Sequence, residues 1–252
     1  MPAGQFGEAI RARHLTLLHC WREGLRGALT GRLPDALAPI WLGAAPEHRR
    51  DVDLRAAVPL AVPLADGPVA MALHGCSEPL AALDGERIAV TLAPAASRSH
   101  YVERDLLRAW LTHLALSAAE TGEARQMGVA VIRPKEAGSS APHVVGGVFR
   151  PIAAAQARAM LAELAAELLG GVFPYLLPCE GVFTWRKRLG KPNQLTVRDA
   201  VLLLRDDNFT RISSRFGPVA DADRYPVPTE RDADAIVARR FQPYFDGFEA
   251  RT

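Results

Sequence analysis

An α/β fold (α+β in its order of elements) is what this sequence of 252 residues predicts. Three long stretches repeat apolar residues at the three- and four-residue spacing of an amphipathic helix, the first of them Phe6 to Leu29. Short apolar runs such as Arg87 to Leu92 lie between them, flanked by turn signals. Apolar residues make up 49% of the chain, enough for a packed core and too many for general disorder.

In chain order, Phe6 to Leu29 carries Ile10, His14, Leu17, Leu18, Trp21 and Leu25 at helical spacing, and Gly31 and Pro34 end it. Asp51 to Leu64 alternates loosely and contains Pro59 and Pro63, which suits an edge or irregular strand. Val69 to Leu73 and Arg87 to Leu92 read as antiparallel strands joined through the turn Asp84-Gly85. Tyr101 to Ala119 is the strongest helix. Leu106, Leu107, Trp110, Leu111 and Leu114 form its apolar stripe, with Arg104, Arg108 and Thr112 elsewhere. Val129 to Arg133 and Val144 to Phe149 read as strands around a Gly/Ser/Pro loop, Pro134 to Pro142. Pro151 opens a third helix in its first turn, and Gly170-Gly171 stops it.

Beyond Gly171 the texture changes. Pro174, Pro178, Gly181 and Gly190 break up Val172 to Pro192. Leu195 to Leu204 predicts a helix, Phe209 to Pro228 is polar and Pro-rich, and Asp232 to Phe245 predicts a last helix with Ile236, Val237, Phe241 and Phe245 on one side. The expected organisation is a core over 1–171 with a C-terminal extension over 172–252 packed on it, or a single domain over 1–252.

Bulk properties narrow the function. No apolar run reaches the ~18 residues of a membrane-spanning helix, and Met1 to Arg11 lacks the apolar stretch of a secretion signal. Cys20, Cys76 and Cys179 are far apart and odd in number, which fits a reducing, cytoplasmic setting rather than a disulfide framework. Net charge is only +2, so the whole chain is no electrostatic binder of nucleic acid. Arginine outnumbers lysine 27 to 3, a bias that a GC-rich genome produces and that guanidinium recognition of phosphate or carboxylate would also produce.

Motif chemistry is mostly excluded. Gly190-Lys191 is the one Gly-Lys pair. A P-loop would need glycine where Trp185 stands and a hydroxyl where Pro192 stands. Gly75-Cys76-Ser77-Glu78-Pro79 approaches a nucleophile elbow, but Pro79 replaces its last glycine, so a turn between strands is expected. Zinc spacing is absent: His74 and Cys76 are two apart, Cys179 stands alone, and His14 and His113 read as partly buried polar residues on helices. A restriction-type nuclease needs Asp or Glu two residues before lysine on a strand. Lys135, Lys187 and Lys191 have Arg133, Trp185 and Leu189 at that place, so the motif does not occur. Glu47-His48-Arg49 and Asp53-Leu54-Arg55 are its nearest relatives, and an arginine that stays protonated substitutes poorly for lysine.

One basic, aromatic cluster remains, Trp185, Arg186, Lys187 and Arg188, followed by Lys191. It suits either a phosphate-contacting loop with a stacking aromatic or a solvated turn beside a buried tryptophan. These five are the candidate DNA-binding residues. No catalytic residue, metal ligand or cofactor is expected.

Two stretches carry a family resemblance. Asp105 to Leu114, with Leu-Leu-Arg-Ala-Trp-Leu-Thr-His-Leu at its heart, resembles a helix of RecC, the gamma subunit of bacterial exodeoxyribonuclease V. Pro2-Ala-Gly-Gln-Phe-Gly-Glu8 resembles the entry to that subunit's C-terminal region. Pro151 to Gly171 with Phe173-Pro174-Tyr175-Leu176-Leu177, and Arg211 to Phe245, are similar to its later segments. The resemblance implies a restriction-endonuclease-like core, a mixed sheet flanked by the helices near Phe6 and Tyr101, that has lost its catalytic residues. It implies a scaffold role beside RecB-like and RecD-like subunits in double-strand break repair and recombination, meeting double-stranded DNA ends through the complex. Where an active relative would carry acids, this chain has Glu78 before a proline, and Arg87 to Ala95 offers nothing to bind metal. RecC is much longer, so the chain is expected to be a gamma-subunit fragment or a separate protein that kept only the last domain. The alternatives are a stand-alone divergent Mg²⁺-dependent nuclease using Glu78 and Glu86 or Asp53, and a small DNA-end-binding module.

Overall fold

The computed structural model describes residues 5–34, 36–45, 47, 52–83, 85–94, 99–170, 179–200 and 228–251. Expectations that fall on 1–4, 48–51, Asp84, 171–178, 201–204 and 209–227 lie outside the described residues. The chain is mixed α/β and falls into two compact units. The first comprises the described residues of Met1–Ala61, Ala70–Leu161 and Phe248–Thr252; the second those of Val62–Val69 and Ala162–Gly247.

The first unit is built on a five-stranded mixed sheet in the order β10-β9-β8-β7-β6. Its strands are β6 (Leu80–Leu83), β7 (Glu86–Leu92), β8 (Met127–Pro134), β9 (Pro142–Phe149) and β10 (Phe248–Arg251). β7 and β8 run parallel and every other neighbouring pair is antiparallel. A parallel pair needs a crossover, and helix α2 (Ser99–Ala119) supplies it. Strands β1 (Ile40–Leu42), β2 (Asp53–Arg55) and β5 (Gly75–Cys76) make a small second sheet, and β3 (Val58–Leu64) pairs with β4 (Gly67–Leu73) in a hairpin. In β3, which has a single neighbour, Pro59 and Pro63 are both exposed and share one parity, so their missing N–H groups face the same edge of the strand.

Residue parity assigns the sheet's two faces. Helix α1 (Gln5–Ala28) buries Leu25, with Leu29 just beyond it, against Ile88, Val90, Ala130 and Ile132. Successive strand residues point to opposite sides, so Ala89, Val129 and Val131 face the other way. Phe149, paired with Met127, is on that second face, where Trp110 and His113 of α2 meet it. The two helices therefore cover opposite faces, giving three layers. Burying each large aliphatic side chain in these layers contributes about 1.5–3 kcal/mol. Trp21 adds a directional tie, its Nε1–H donating to the Ala93 carbonyl at 3.0 Å.

Several expectations need correction. The turn at Gly85 joins β6, not Val69–Leu73, to β7; Val69–Leu73 lies in β4 and pairs with β3. Gly85, at φ 84°, supplies the left-handed backbone of that turn. In α2 the stripe is rotated: Leu111 is 48% exposed while Thr112 is buried, its hydroxyl accepting the Glu78 N–H at 3.0 Å. Pro151 precedes the third helix, α3 (Ala154–Gly170), instead of opening it. The Arg150 carbonyl that would begin an earlier turn is taken by His113 Nε2 at 2.9 Å.

The second unit contains α4 (Cys179–Arg188), α5 (Glu230–Arg240) and α6 (Gln242–Gly247), and 197–200 are helical too. α4 forms in a stretch expected to be irregular. Burial of Val182 and Phe183 outweighs the helix-weakening Gly181, and Gly190, at φ 73°, makes the turn beyond it. Phe183 meets Phe241, Tyr244 and Phe245 edge-on at centroid distances of 6.5, 5.7 and 5.5 Å. α5 starts at the N-cap Thr229, whose side chain accepts the Asp232 N–H at 3.2 Å. The single helix expected over Asp232 to Phe245 is broken at Phe241, because Pro243 has no N–H to continue the ladder.

Candidate functional site

The sequence offered two kinds of candidate, acidic residues on the strands and a basic cluster after the third helix. The acidic ones are engaged by neighbouring polar groups. Glu78 stands between β5 and β6, and its carboxylate meets Arg108 Nη2 of α2 at 2.7 Å. Arg108 also lies 3.9 Å from Asp105, one turn earlier. The Asp105 carboxyl is pushed above the usual range by burial; Arg108 and Arg104 pull it back and Glu78 adds to the rise. A cleft of about 360 Å³ opens beside this group, with His74, Cys76, Ser77, Glu78, Arg108 and Leu111 among its walls. A guanidinium thus sits against the carboxylate that a nuclease would turn toward Mg²⁺, which needs oxygen ligands at ~2.0–2.1 Å. Asp53 pairs at 3.7 Å with Arg55, two residues away on its own strand, and Glu86 accepts from Gln126 Nε2 at 2.7 Å. Among the described residues no group of three or more His, Cys, Asp or Glu is placed to hold a metal ion.

A second cleft, about 350 Å³, lies where α2 ends beside the start of β7 and β8, and the sequence gave no hint of it. Its walls include Arg87, His113, Ser117, Glu120 and Arg125. Glu120 accepts from Arg87 and lies 3.8 Å from Arg55, which Asp53 also meets, so two guanidinium groups face this carboxylate. His113 is only 2% exposed, deeper than the partly buried position expected, whereas His14 is exposed. Burial holds the His113 imidazole below its usual pKa; the Arg150 carbonyl and Glu120 act the other way. A neutral ring then donates from Nε2 to Arg150, which makes His113 a structural link between α2 and the approach to α3. The signal was too dispersed to read, since Arg55, Arg87 and Glu120 come from three separate elements.

The basic cluster sits on a helix end and not on a loop. Trp185, Arg186, Lys187 and Arg188 form the last turn of α4, and Lys191 follows in a turn where its N–H donates to the Arg188 carbonyl at 3.1 Å. Trp185 is half-buried, and Arg186, Lys187, Arg188 and Lys191 are exposed. The Arg186 guanidinium lies 5.1 Å from the centre of the Phe245 ring, a cation–π contact that fixes its direction. Basic residues also complement the negative end of the helix dipole, a local role that needs no ligand.

No protein-family model, curated protein or solved structure matches the chain. Among the described residues, no helix is long and apolar enough to cross a membrane.

Proposed function

We propose that the chain is the nuclease-like, non-catalytic part of a RecBCD-type exodeoxyribonuclease V, acting as a scaffold in double-strand break repair. The carrying observation is the Glu78–Arg108 ion pair at 2.7 Å. A carboxylate paired with a guanidinium has its charge met without a metal, and the sequence lacks the lysine that would help activate water. The three layers around a mixed sheet, with α1 and α2 on opposite faces, support the restriction-endonuclease-like reading of the core. In this reading RecB-like and RecD-like subunits are the partners, and double-stranded DNA ends reach the chain through the complex.

The test is co-expression with RecB-like and RecD-like chains, followed by size-exclusion chromatography and a Mg²⁺-dependent DNA degradation assay on the purified chain. The expected result is a stable complex and no degradation by the chain alone. Degradation that Glu78→Ala abolishes would instead establish a divergent nuclease. A chain that stays monomeric with no partner and no DNA affinity overturns the proposal.

A second reading is a DNA-end-binding module, favoured by the exposure of Arg186, Lys187 and Arg188 on one helix end and of Lys191 in the turn after it. It predicts salt-dependent binding of a duplex end that Arg186→Ala with Lys187→Ala weakens. Binding that survives both substitutions removes the assignment.

A further inference from the structure

Helix α1 is buried mainly along its second half. Its second half supplies Cys20, Leu25 and Leu29 to the interior, while Leu15 and Leu18 are each 56% exposed. At 100° per residue, Arg11, Leu15, Leu18 and Arg22 fall within an arc of roughly 60°, and the same seam runs on into buried Leu25 and Leu29, so only the part of the helix before Leu25 leaves it uncovered. Their spacing of four, three and four residues is that of a coiled-coil seam, with two leucines at its centre and an arginine at each end. Single exposed leucines are ordinary, but a pair at seam spacing makes a continuous apolar strip that another helix can cover.

The charge around the strip is unbalanced. Arg11 is exposed, and the Arg22 side chain is 56% exposed. Glu23 is shared between Arg22 at 3.6 Å and Arg26 at 2.9 Å, one carboxylate for two guanidinium groups. A partner that meets this strip therefore gains most by presenting two apolar residues flanked by carboxylates.

We infer that the stripe Arg11–Leu15–Leu18–Arg22 is a docking seam for one acidic amphipathic helix of a partner protein. The inference deepens the scaffold reading and rests on it for the partner's identity. A nucleic acid would use the two arginines and leave the leucines without a role. A helix with Asp or Glu, Leu, Leu, and Asp or Glu at matching spacing uses all four.

The probe is a fluorescein-labelled peptide of about 18 residues, long enough to hold a helix, with Glu, Leu, Leu and Glu at that spacing in an alanine/glutamine background. Anisotropy titration against the whole chain should show saturable binding. Leu15→Ser with Leu18→Ser should weaken it about tenfold or more. Arg11→Glu with Arg22→Glu should weaken it similarly and gain affinity for the peptide carrying Lys in place of Glu. Both variants should melt with the wild type, because all four side chains face solvent. A lowered melting temperature in the serine variant, equal binding by every variant, self-association through the stripe, or a preference for duplex DNA that ignores the leucines would each overturn the seam. Assembly with RecB-like and RecD-like chains separates the two proposals. A serine variant that assembles as well as wild type ends the seam and leaves the scaffold role, while a wild-type chain that fails to assemble ends the scaffold role and leaves the peptide result standing.

Discussion

The imidazole of His113 lies nearly flat on the ring of Phe149, with centroids 5.6 Å apart and planes 15° from parallel. Its Nε2 meets the carbonyl of Arg150, the next residue, at 2.9 Å. One α2 side chain thus binds both the apolar face of β9 and the backbone that leaves it. The bond to a carbonyl puts a proton on Nε2, and burial, the largest influence on the ring, holds the His113 pKa below its usual value.

Stability should therefore fall on mild acidification. The unfolded chain takes up a proton near pH ~6.5, and the folded chain takes it up only at lower pH. Between those values the unfolded state binds more protons, so the contribution is complete above ~6.5 and is lost as pH falls through the folded value. Asp105, raised by burial, works in the opposite sense, because its folded form holds a proton that the unfolded form releases. The comparison is therefore made in an Asp105→Asn background. Thermal midpoints from about pH 7.5 to about pH 5 should drop for His113. They should stay flatter for His113→Gln, which keeps an N–H donor for Arg150 but does not titrate. Parallel curves would remove His113 from the account.

Phe149 is the hub of that face. It is fully buried and meets Trp110 at 5.3 Å and Phe248 at 5.4 Å, besides His113. Phe149→Ala should cost about 3–5 kcal/mol, and Phe149→Leu clearly less. Denaturant titration at neutral pH measures both, and a cost below ~1 kcal/mol for alanine would mean that the cluster repacks freely.

A gain is expected at the end of α1. Thr30 adopts φ 53°, a left-handed conformation that strains a β-branched residue. The conformation is needed because the Gly31 N–H reaches back to the Arg26 carbonyl at 2.7 Å. Thr30→Gly should stabilise the chain by about 1 kcal/mol, and Thr30→Ala should not. Equal melts for all three would show that the turn relaxes at no cost.

The bounds of α1 and α2 were legible because apolar residues recur every three or four positions, and β8 and β9 because Val129–Arg133 and Val144–Phe149 are compact apolar runs. β6 was missed, since Leu-Ala-Ala-Leu is four residues long and alanine favours neither state strongly. β10 was missed because Phe-Glu-Ala-Arg is a strand only through its register with Gly146–Phe149. The missing nuclease motif was readable from three lysines and their neighbours. The Glu78–Arg108 pair was not, because a loop before β6 and a helix turn thirty residues later meet only through the fold. Periodicity likewise said that Leu15 and Leu18 lie on a helix, but not that they would stay uncovered.

Gly24 governs how closely α1 lies on the sheet. A Cβ added there would overlap Ile132 Cγ2 and stand 3.2 Å from Pro142 Cβ. Gly24→Ala should therefore destabilise by about 1–3 kcal/mol, despite alanine's better helix propensity. Combining it with Ile132→Ala, which removes the overlapped methyl, should cost less than the sum of the two. Strict additivity would show that the clash is relieved elsewhere.

The second unit holds its own polar link. The Glu167 side chain is 2% exposed and meets Arg240 Nε at 2.6 Å and Arg239 Nη1 at 3.4 Å. Burying a carboxylate this far is tolerable only while the guanidinium groups remain beside it. Glu167→Gln keeps the shape and removes the charge. The two arginine side chains, 28% and 42% exposed, can still turn to water, so the loss should be about 2 kcal/mol, below that of a fully buried pair. Arg240→Ala should cost more, because it strands the carboxylate inside with only the longer contact to Arg239. Hydrogen exchange across α3 and α5 reads the effect locally: both helices should lose protection in each variant, and more in Arg240→Ala. The reverse order would mean that the arginine, and not the buried acid, bears the cost of this pair.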